Sequence, residues 1–532
     1  MKKALTLLLC MAMLASLFTV ASFADEEKDF SAYTPIGTEE ELINMEDDGV
    51  YLLTADITLT KDWVTMDYFE GVLNGNGHKI INYKSSGPMI DTLDMFGIVK
   101  NITFVNAEVV NATATKEVAI FANDIQGKVY NVNIDGGKVS TKEKAAGVIY
   151  KLSATGEMIN CEFKNMEVTS TGIDASGVSY DNYGKMSYLT FDGTVKGNGD
   201  RASGIVGYVR AGATVDHCVS KGLVESNFHV AGITSQLNGG TVSNCLNFAT
   251  IVAHQSRASG IACSDRGAFV ITNCGNYGLI TSWRTAATAT NADAKVGGMI
   301  SSSEDANENA RITNCFNAGN LVTNYLSGQI GGMIAYFKST DKLTTEIFTN
   351  CYTLENTLWK YQQEHNGEYT DTSVWLEHSN NKKNEKSTVE VAGNMVDQYS
   401  GTFVTATEFA SEAMITKLGS GFKLSGDATY PIALADSEVP AEPVSEDEIA
   451  KPAESDEPAT SATAPETSAA PATTATAAPA TGTEAPTTEA PTTEASAPAE
   501  SGGCKSVIGG GVAVIVAILG GAVLAVRRKE EE

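Results

Sequence analysis

Positive charge is scarce in this chain of 532 residues. Lysine and arginine supply 37 side chains against 65 aspartates and glutamates, so the net charge is −28. A chain this acidic repels the phosphate backbone of DNA and RNA, which excludes nucleic acid as a partner. Charged residues make up only 19% of the chain and hydrophobic residues 42%, so a sizeable core can be buried.

The two ends of the chain predict export and a membrane anchor. Lys2 and Lys3 precede an apolar run that ends near the small residue Ala24, so residues 1–24 are predicted to be a secretory signal peptide. Val507–Val526 carries no charge and is followed by a basic cluster. Residues 504–532 are therefore predicted to be a transmembrane helix with a cytoplasmic tail, and the ectodomain is placed outside the cell.

A low-complexity segment precedes this anchor. Residues 436–503 consist mainly of Ala, Thr, Pro, Glu and Ser, which cannot bury enough apolar surface to fold, so a disordered stalk is predicted. The string "APATG" (Ala478–Gly482) resembles a cell-wall sorting signal, but it lacks the leading Leu and lies far from the apolar span. Retention by the membrane helix is therefore the preferred prediction.

One phrase recurs through the middle of the chain, for example as "TVSNCLNFATIV" from Thr241 and "RITNCFNAGNLV" from Arg311. Its copies are 27–30 residues apart at first and 41 and 36 apart at the end. The central position is always apolar: Ile102, Val132, Cys161, Leu189, Cys218, Cys245, Cys274, Cys315 and Cys351. A second marker keeps the same period, at Ala119, Gly147, Gly177, Gly204, Gly232, Gly260, Gly298 and Gly332.

A fixed period of this length predicts a repeat architecture. The segment has no 3.6-residue apolar stripe, which excludes helical repeats, and a propeller blade needs about 40 residues. Short β-branched runs between Gly, Asn and Asp instead predict an all-β parallel β-helix of about ten turns over residues 71–352. Residues 25–70 are predicted to be an N-terminal cap region, and 353–435 an irregular excursion with a C-terminal cap. Short helices at Thr38–Met45 and Thr405–Gly419 are predicted to cover the open ends.

The recurring cysteine is predicted to point into the core. In a β-helix the equivalent residues of successive turns stack, and the Ile, Val, Leu and Cys of this column are all compact hydrophobes. The asparagine before each one then lies at a turn, where Asn tolerates left-handed backbone. A disulfide ladder and a zinc site are the alternatives. In-register strands rarely meet disulfide geometry, and the chain has no CxxC pair.

The repeats "GGMI" and "RITNCFNAGNLV" resemble the GLUG-type repeat of bacterial surface proteins. "FEGVLNGNGHKIINY" (Phe69–Tyr83) resembles the entry turn of such proteins, and "FKLSGDATYPIAL" (Phe422–Leu434) is similar to their closing segment. The resemblance covers about Asp56–Ala435. It implies a right-handed parallel β-helix outside a Gram-positive-type cell, and it implies no single activity.

Catalytic signals are weak. The sequence contains no triad, no phosphate loop and no turn-spaced column of carboxylates, and its histidines share no register, so neither a metal nor a cofactor is predicted. "TVDHC" (Thr214–Cys218) resembles a pectate-lyase string, but Asp216 and His217 take ordinary outward and turn positions of the repeat.

A binding role has more support. Aromatic or imidazole rings follow several anchors at similar distances and would line one edge of the stack, where they suit sugar rings or a partner protein. The alternative is local packing under loops. These candidate ligand-binding residues are Phe228, His254, Trp283, Tyr325 and Trp359. Two insertions lie beside them, Arg284–Lys295 and Ser301–Asn309.

Three functional hypotheses follow. The first is a cell-surface protein, held by its C-terminal membrane helix, that serves adhesion or binds an extracellular glycan or protein. The second is an extracellular polysaccharide lyase or hydrolase, and the third is a structural spacer. Rings in register favour binding over a spacer, whereas a turn-spaced acidic cluster would favour the enzyme.

Overall fold

The computed structural model describes residues 31–111, 118–282, 294–304, 309–323, 329–337, 347–355, 357–362, 374–377, 400–426 and 430–435. All of them belong to one compact unit, residues 1–441. The predicted signal peptide, stalk and membrane anchor lie outside the described residues. Within the described part of the chain, no helix is long and apolar enough to cross a membrane.

Short strands follow one another along this unit. The first group is β1 Thr34–Ile36, β2 Val50–Leu53, β3 Ile57–Thr58, β4 Met66–Phe69, β5 Val72–Asn74, β6 Lys79–Ile81, β7 Lys84–Ser85, β8 Ile90–Leu93, β9 Ile98–Asn111, β10 Ala122–Ile125, β11 Lys128–Thr141, β12 Ala145–Ala146, β13 Ile149–Leu152 and β14 Glu157–Ser170. The second group is β15 Ala175–Ser176, β16 Ser179–Asn182, β17 Lys185–Gly197, β18 Arg201–Ser203, β19 Val206–Val209, β20 Thr214–Asp216, β21 Val219–Ser226, β22 His229–Ala231, β23 Thr234–Leu237, β24 Thr241–Ser243, β25 Leu246–Asn247, β26 Thr250–Ala253, β27 Arg257–Ser259 and β28 Ala262–Asp265. The third group is β29 Val270–Thr272, β30 Gly275–Asn276, β31 Ile280–Ser282, β32 Lys295–Gly297, β33 Ile300–Ser303, β34 Arg311–Asn317, β35 Leu321–Thr323, β36 Gln329–Gly331, β37 Ile334–Phe337, β38 Phe348–Leu354, β39 Leu358–Gln362, β40 Val374–Glu377, β41 Thr402–Val404, β42 Phe422–Leu424 and β43 Ile432–Leu434. Among the described residues, three helices accompany them: α1 Glu39–Ile43, α2 Ala406–Phe409 and α3 Glu412–Leu418.

These strands form three long sheets and one separate antiparallel pair, β42–β43. All pairings within the long sheets are parallel except the hairpin β39–β40. Sheet A has 24 strands and contains the recurring phrase, while sheet B has ten and runs from β4 to β37. Sheet C has seven, which are β12, β15, β18, β22, β27, β32 and β36. From β11 onward the chain visits sheets A, C and B in turn, and each strand pairs with its equivalent one repeat later. The described chain is therefore mostly β, with long parallel sheets, as an all-β parallel solenoid requires.

The predicted central column is buried throughout its length. Its nine side chains are between 0% and 5% exposed, and Val132 pairs with Ile102, Cys161 with Leu189 and Cys315 with Cys351. All seven described cysteines are free thiols. Burial raises the pKa of Cys161 and Cys351 to about 12, so both stay protonated and pack as hydrophobes.

The residue before each column position has left-handed backbone. Its φ lies between 49° and 56° in all nine copies, seven of which are asparagine. Successive amides bond from turn to turn: Nδ2 of Asn273 donates to Asn244 at 3.0 Å, and Nδ2 of Asn314 donates to Asn273 at 3.0 Å. The ladder is interrupted where the rings of Tyr188 and His217 stack at 4.5 Å instead. Asparagine at this position therefore both tolerates the left-handed backbone and forms an amide hydrogen bond with the neighbouring turn.

We expect Asn273→Ala to lower the free energy of unfolding by about 2–3 kcal/mol. Alanine loses both amide bonds and is strained at φ 52°. Asn273→Gly loses the bonds but tolerates the backbone, so we expect about 1–2 kcal/mol. Urea unfolding of the two variants separates the contributions. Equal losses would mean that the left-handed backbone has no role in the choice of asparagine.

In the N-terminal region helix α1 forms as predicted, but the paired strands of sheet A begin earlier in the chain than predicted. The Thr38 hydroxyl accepts from Glu41 N–H, and the Glu41 carboxylate accepts from Thr38 N–H, so the expected capping box is present. Strand β1 already pairs with β2 in sheet A. The ladder of turns therefore begins at Thr34, inside the segment assigned to the N-terminal cap region.

The C-terminal segment differs from the expected single helix over an open end. Ser411 accepts from Met414 N–H and starts a new helix, so Thr405–Gly419 contains α2 and α3 rather than one helix. Strand β41 adds one more pairing to sheet A beside β38. Residues 405–426 and 430–435, here named the clasp, then pack against the outer face of sheet A, because that face is aromatic over its last turns.

Aromatic contacts hold the clasp. The Phe316 ring centroid lies 5.2 Å from Phe409 and 5.4 Å from Phe422. The Tyr277 hydroxyl donates to the Ile432 carbonyl at 2.7 Å and accepts from Ile432 N–H at 3.0 Å. Tyr430 of the clasp also contacts Phe248, with ring centroids 4.6 Å apart. The clasp thus reaches back from β41 to the end of β25, and it covers the side of the solenoid rather than its end.

Candidate functional site

A row of polar side chains follows the outer face of sheet C. The first residues of five consecutive strands are in register: Arg201 with His229, His229 with Arg257, Arg257 with Lys295 and Lys295 with Gln329. The second residue of each strand is buried in the core, as Ala202 and Val230 are. Because side chains alternate along a strand, the first residue points away from the core.

Two earlier turns extend this row. Ala145, Ala175 and Ala202 are in register, so the residues before them, Lys144 and Asp174, precede Arg201 in the same series. We name the set the polar row: Lys144, Asp174, Arg201, His229, Arg257, Lys295 and Gln329. Four cationic side chains against one carboxylate give the row a formal charge of +3 with histidine neutral, on a chain of net charge −28.

Carboxylates hold the middle of the polar row. Asp200 Oδ1 lies 2.7 Å from His229 Nδ1, and its Oδ2 lies 2.5 Å from Arg201 Nη1. Asp174 accepts from the Arg201 N–H at 3.0 Å and from the Tyr180 hydroxyl at 3.1 Å. A third carboxylate, Glu304, pairs with Arg257.

The environments of these two aspartates move their pKa values apart. Burial raises the pKa of Asp174 despite the nearby Arg201 charge. Burial would also raise the pKa of Asp200, but the hydrogen bond with His229 and the charges of His229, Arg201 and Arg257 lower it overall. The site thus holds two neighbouring carboxyl groups, one whose pKa is raised by burial and one whose pKa is lowered by its hydrogen bond and nearby positive charges.

Tyrosines from sheet B face the polar row from the other side. The Lys144 ammonium lies 4.8 Å from the Tyr180 ring centroid, and the Lys295 ammonium lies 3.9 Å from Tyr336. Between these turns the in-register positions of sheet B carry buried polar side chains: Gln236, Ser264 and Ser302. The arrangement places cations of the polar row against aromatic rings.

Two of the predicted ligand-binding residues lie beside the polar row. Phe228 and His254 are half-buried at the turns between sheets A and C. The Phe228 carbonyl accepts from Arg257 N–H at 2.6 Å, and His254 Nε2 lies 3.6 Å from Glu225 Oε2. Trp283 and Tyr325 lie outside the described residues. Trp359 is on β39, and its side chain also lies outside the described part of the structure.

Each of the two insertions supplies one described residue to the polar row or to its ion pairs. Lys295 closes the first insertion and belongs to the polar row. Glu304, in the second, reaches Arg257. Sequence reasoning missed the row itself, although a signal exists, since each of its members lies three residues before a second-marker position from Gly147 to Gly332.

Asp216 and His217 form a separate, structural cluster on sheet A. His217 Nδ1 lies 2.7 Å from Asp216 Oδ2, while Asp216 Oδ1 accepts from Ser243 Oγ at 2.5 Å and from Asn244 Nδ2 at 2.8 Å. These bonds tie adjacent turns together where the asparagine ladder is interrupted at His217. Across the described residues, no group of three or more His, Cys, Asp or Glu side chains is arranged to hold a metal ion.

Comparison with known proteins gives no family assignment. No protein-family model matches the chain, and no curated protein matches it. Among solved structures it is similar to a "putative immunoglobulin A1 protease from Bacteroides ovatus" at 16% identity, with a TM-score of 0.28 and coverage of 76% of this chain and 93% of that one. A similarity at this level supports no conclusion about activity.

Proposed function

We propose that this chain is a cell-surface binding protein that holds an extracellular glycan against the polar row. The observation that supports the proposal is the register of Arg201, His229 and Arg257 on consecutive strands, flanked by carboxylates and tyrosines. Planar polar side chains bond sugar hydroxyls, and tyrosine rings offer apolar faces to sugar rings. Strands of a stacked sheet hold such groups more rigidly than loops do.

The proposal includes the display of this surface outside the cell. A secretory signal peptide at 1–24, a stalk at 436–503 and a membrane helix within 504–532 would present the solenoid to ligands beyond the membrane. It also includes a right-handed winding of about ten turns, the hand that connections between parallel strands nearly always take. The resemblance to GLUG-type surface repeats agrees with this placement.

The test is retention of polysaccharides by the full chain, purified in a nonionic detergent, on a panel from plants, animals and microbes. We expect at least one to bind and Arg257→Ala to weaken it about tenfold, because an arginine bonded to a bound polar group contributes about that much. Arg311→Ala, which removes an arginine of sheet A, is the matched control and should leave binding unchanged. No retention on the whole panel, or equal losses in both variants, would reject the proposal.

A second candidate is a glycan-cleaving enzyme. It is favoured by one observation: Asp174 and Asp200 both contact Arg201, and their surroundings move their pKa values in opposite directions. New reducing ends or unsaturated sugars in the same samples would indicate cleavage. Their loss in Asp200→Asn would assign it to this pair.

A further inference from the structure

The polar row carries positive charge on a strongly acidic protein. In a chain with 37 basic against 65 acidic residues, four lysines and arginines among seven in-register positions depart from the composition. The carboxylates of Asp200 and Glu304 compensate part of this charge, so the row and these two partners together remain at a formal +1. The row is therefore a local exception to the charge of the whole molecule.

The spacing of the row fits an extended polymer. Neighbouring parallel strands lie about 4.7–4.9 Å apart. The Cα atoms of Arg201 and Arg257, two strands apart with His229 between them, are therefore separated by about 9–10 Å. An extended chain of linked sugar acids presents carboxylates along one edge at every second residue, a comparable interval. Two arginines at this separation can each contact one carboxylate of such a chain.

The three side chains in the middle of the row, Arg201, His229 and Arg257, are oriented yet reachable, whereas Asp174 and Lys295 are buried. Arg201 and His229 are each 20% exposed, and Asp200 fixes both of them. A guanidinium has five N–H donors in a fixed plane, so a contact with Asp200 leaves donors for a second carboxylate. Arg257 is 14% exposed and is held by Glu304, itself 32% exposed at the edge of the row.

We infer that the ligand is an extended acidic polysaccharide whose carboxylates contact Arg201 and Arg257, with Glu304 as the competing carboxylate at Arg257. This inference rests on the proposed function and narrows its ligand class. Arg257 and Glu304, the two partners of one ion pair, therefore have opposite effects on binding. Loss of Arg257 weakens binding of an acidic glycan, and loss of the Glu304 charge strengthens it.

The experiment compares each acidic polysaccharide with its own neutral form. Polygalacturonate, alginate and hyaluronate, each beside its fully methyl-esterified derivative, are titrated against the full chain in nonionic detergent. We expect at least one acidic form to bind about tenfold more tightly than its ester, with an affinity that falls as salt rises. The ester keeps the backbone and removes the charge, so the difference reports the carboxylates alone.

Variants make the result specific to the row. Glu304→Gln should tighten binding of the acidic form severalfold and leave any binding of the ester unchanged. Arg257→Gln should weaken the acidic form about tenfold, whereas the control Arg311→Gln should not. A thermal melt of each variant checks folding, and Glu304→Gln retains Arg257 itself.

Each outcome has a distinct meaning. Equal affinity for acid and ester, or weaker binding in Glu304→Gln, overturns the acidic ligand while leaving glycan binding intact. Binding of neutral polysaccharides alone likewise overturns the acidic ligand while leaving glycan binding intact. No binding of any acidic or neutral polysaccharide rejects both this inference and the proposed function.

Discussion

Gly260→Ala is expected to lower the free energy of unfolding by about 3 kcal/mol or more. A Cβ atom on Gly260 would lie 2.5 Å from the Gly298 carbonyl oxygen and 2.7 Å from the amide carbon of the buried Asn276. The first contact is with backbone, which cannot move aside without shifting the next turn. Overpacking a close-packed core costs about 1–3 kcal/mol when side chains can adjust, and here they cannot.

The expectation extends to the whole second marker of the repeat. At every turn from Gly147 to Gly298, an added Cβ would lie within 2.5 Å of the carbonyl oxygen of the marker glycine in the next turn. Each glycine therefore makes room for its successor, and the column can stack only without side chains. The backbone angle is not the cause, since φ at these positions is not left-handed.

Urea unfolding of Gly260→Ala beside Gly426→Ala tests the explanation. Among the described residues, no heavy atom beyond the chain neighbours of Gly426 would lie within 4 Å of a Cβ added there, so its substitution should change the unfolding midpoint little. A Gly260→Ala variant as stable as the control would mean that the turns can separate locally, and the contact between successive glycines would then not explain the marker.

Much of the solenoid could be predicted because stacking imposes a period on the sequence. Inward positions such as Cys245 and Cys274 recur as compact hydrophobes, and the left-handed turn before them recurs as asparagine. A second asparagine in the same phrase was not interpreted. Asn247 donates to Asn276, and Asn276 to Asn317, each at 2.8 Å inside the protein. The spacing Asn-Cys-x-Asn was the available signal.

The polar row was harder to predict, because a surface row is constrained only to be polar. Its members change between lysine, aspartate, arginine, histidine and glutamine, and no two consecutive turns share a residue type. Predicted residues such as Phe228 were chosen for their rings, which the sequence shows directly. The charges next to them became a set only when the register of sheet C was known.

The position of the clasp could not be predicted from the sequence either. A helical pattern at the end of a repeat array suggests an end cap, and the sequence does not say which surface the helix meets. Phe248, Tyr277 and Phe316 lie in different repeats, so only their stacking on sheet A creates one aromatic face. Gly275 leaves space there that the Phe316 ring fills.

Phe316→Ala should release the clasp and lower the free energy of unfolding by about 3–5 kcal/mol. Phe316 is fully buried and its ring contacts Tyr277, Phe409 and Phe422, so truncation leaves a cavity between sheet A and the clasp. The bonds of Tyr277 with Ile432 and its ring contacts with Phe409 and Tyr430 remain, but the closer packing of Phe316 on Phe409 and Phe422 is lost. We therefore expect trypsin to cleave after Lys417 and Lys423 earlier than elsewhere, as identified by mass spectrometry of the fragments.

Phe163→Ala separates clasp release from general instability. Phe163 is equally buried but belongs to the interior of the solenoid, away from the clasp. Its loss should cost a similar free energy, again about 3–5 kcal/mol, and expose sites throughout the solenoid, such as Lys128 and Lys185, together with those of the clasp. If both variants give the same cleavage pattern, the clasp unfolds only with the solenoid. Early cleavage confined to Phe316→Ala would establish it as a unit that opens independently along the side of sheet A.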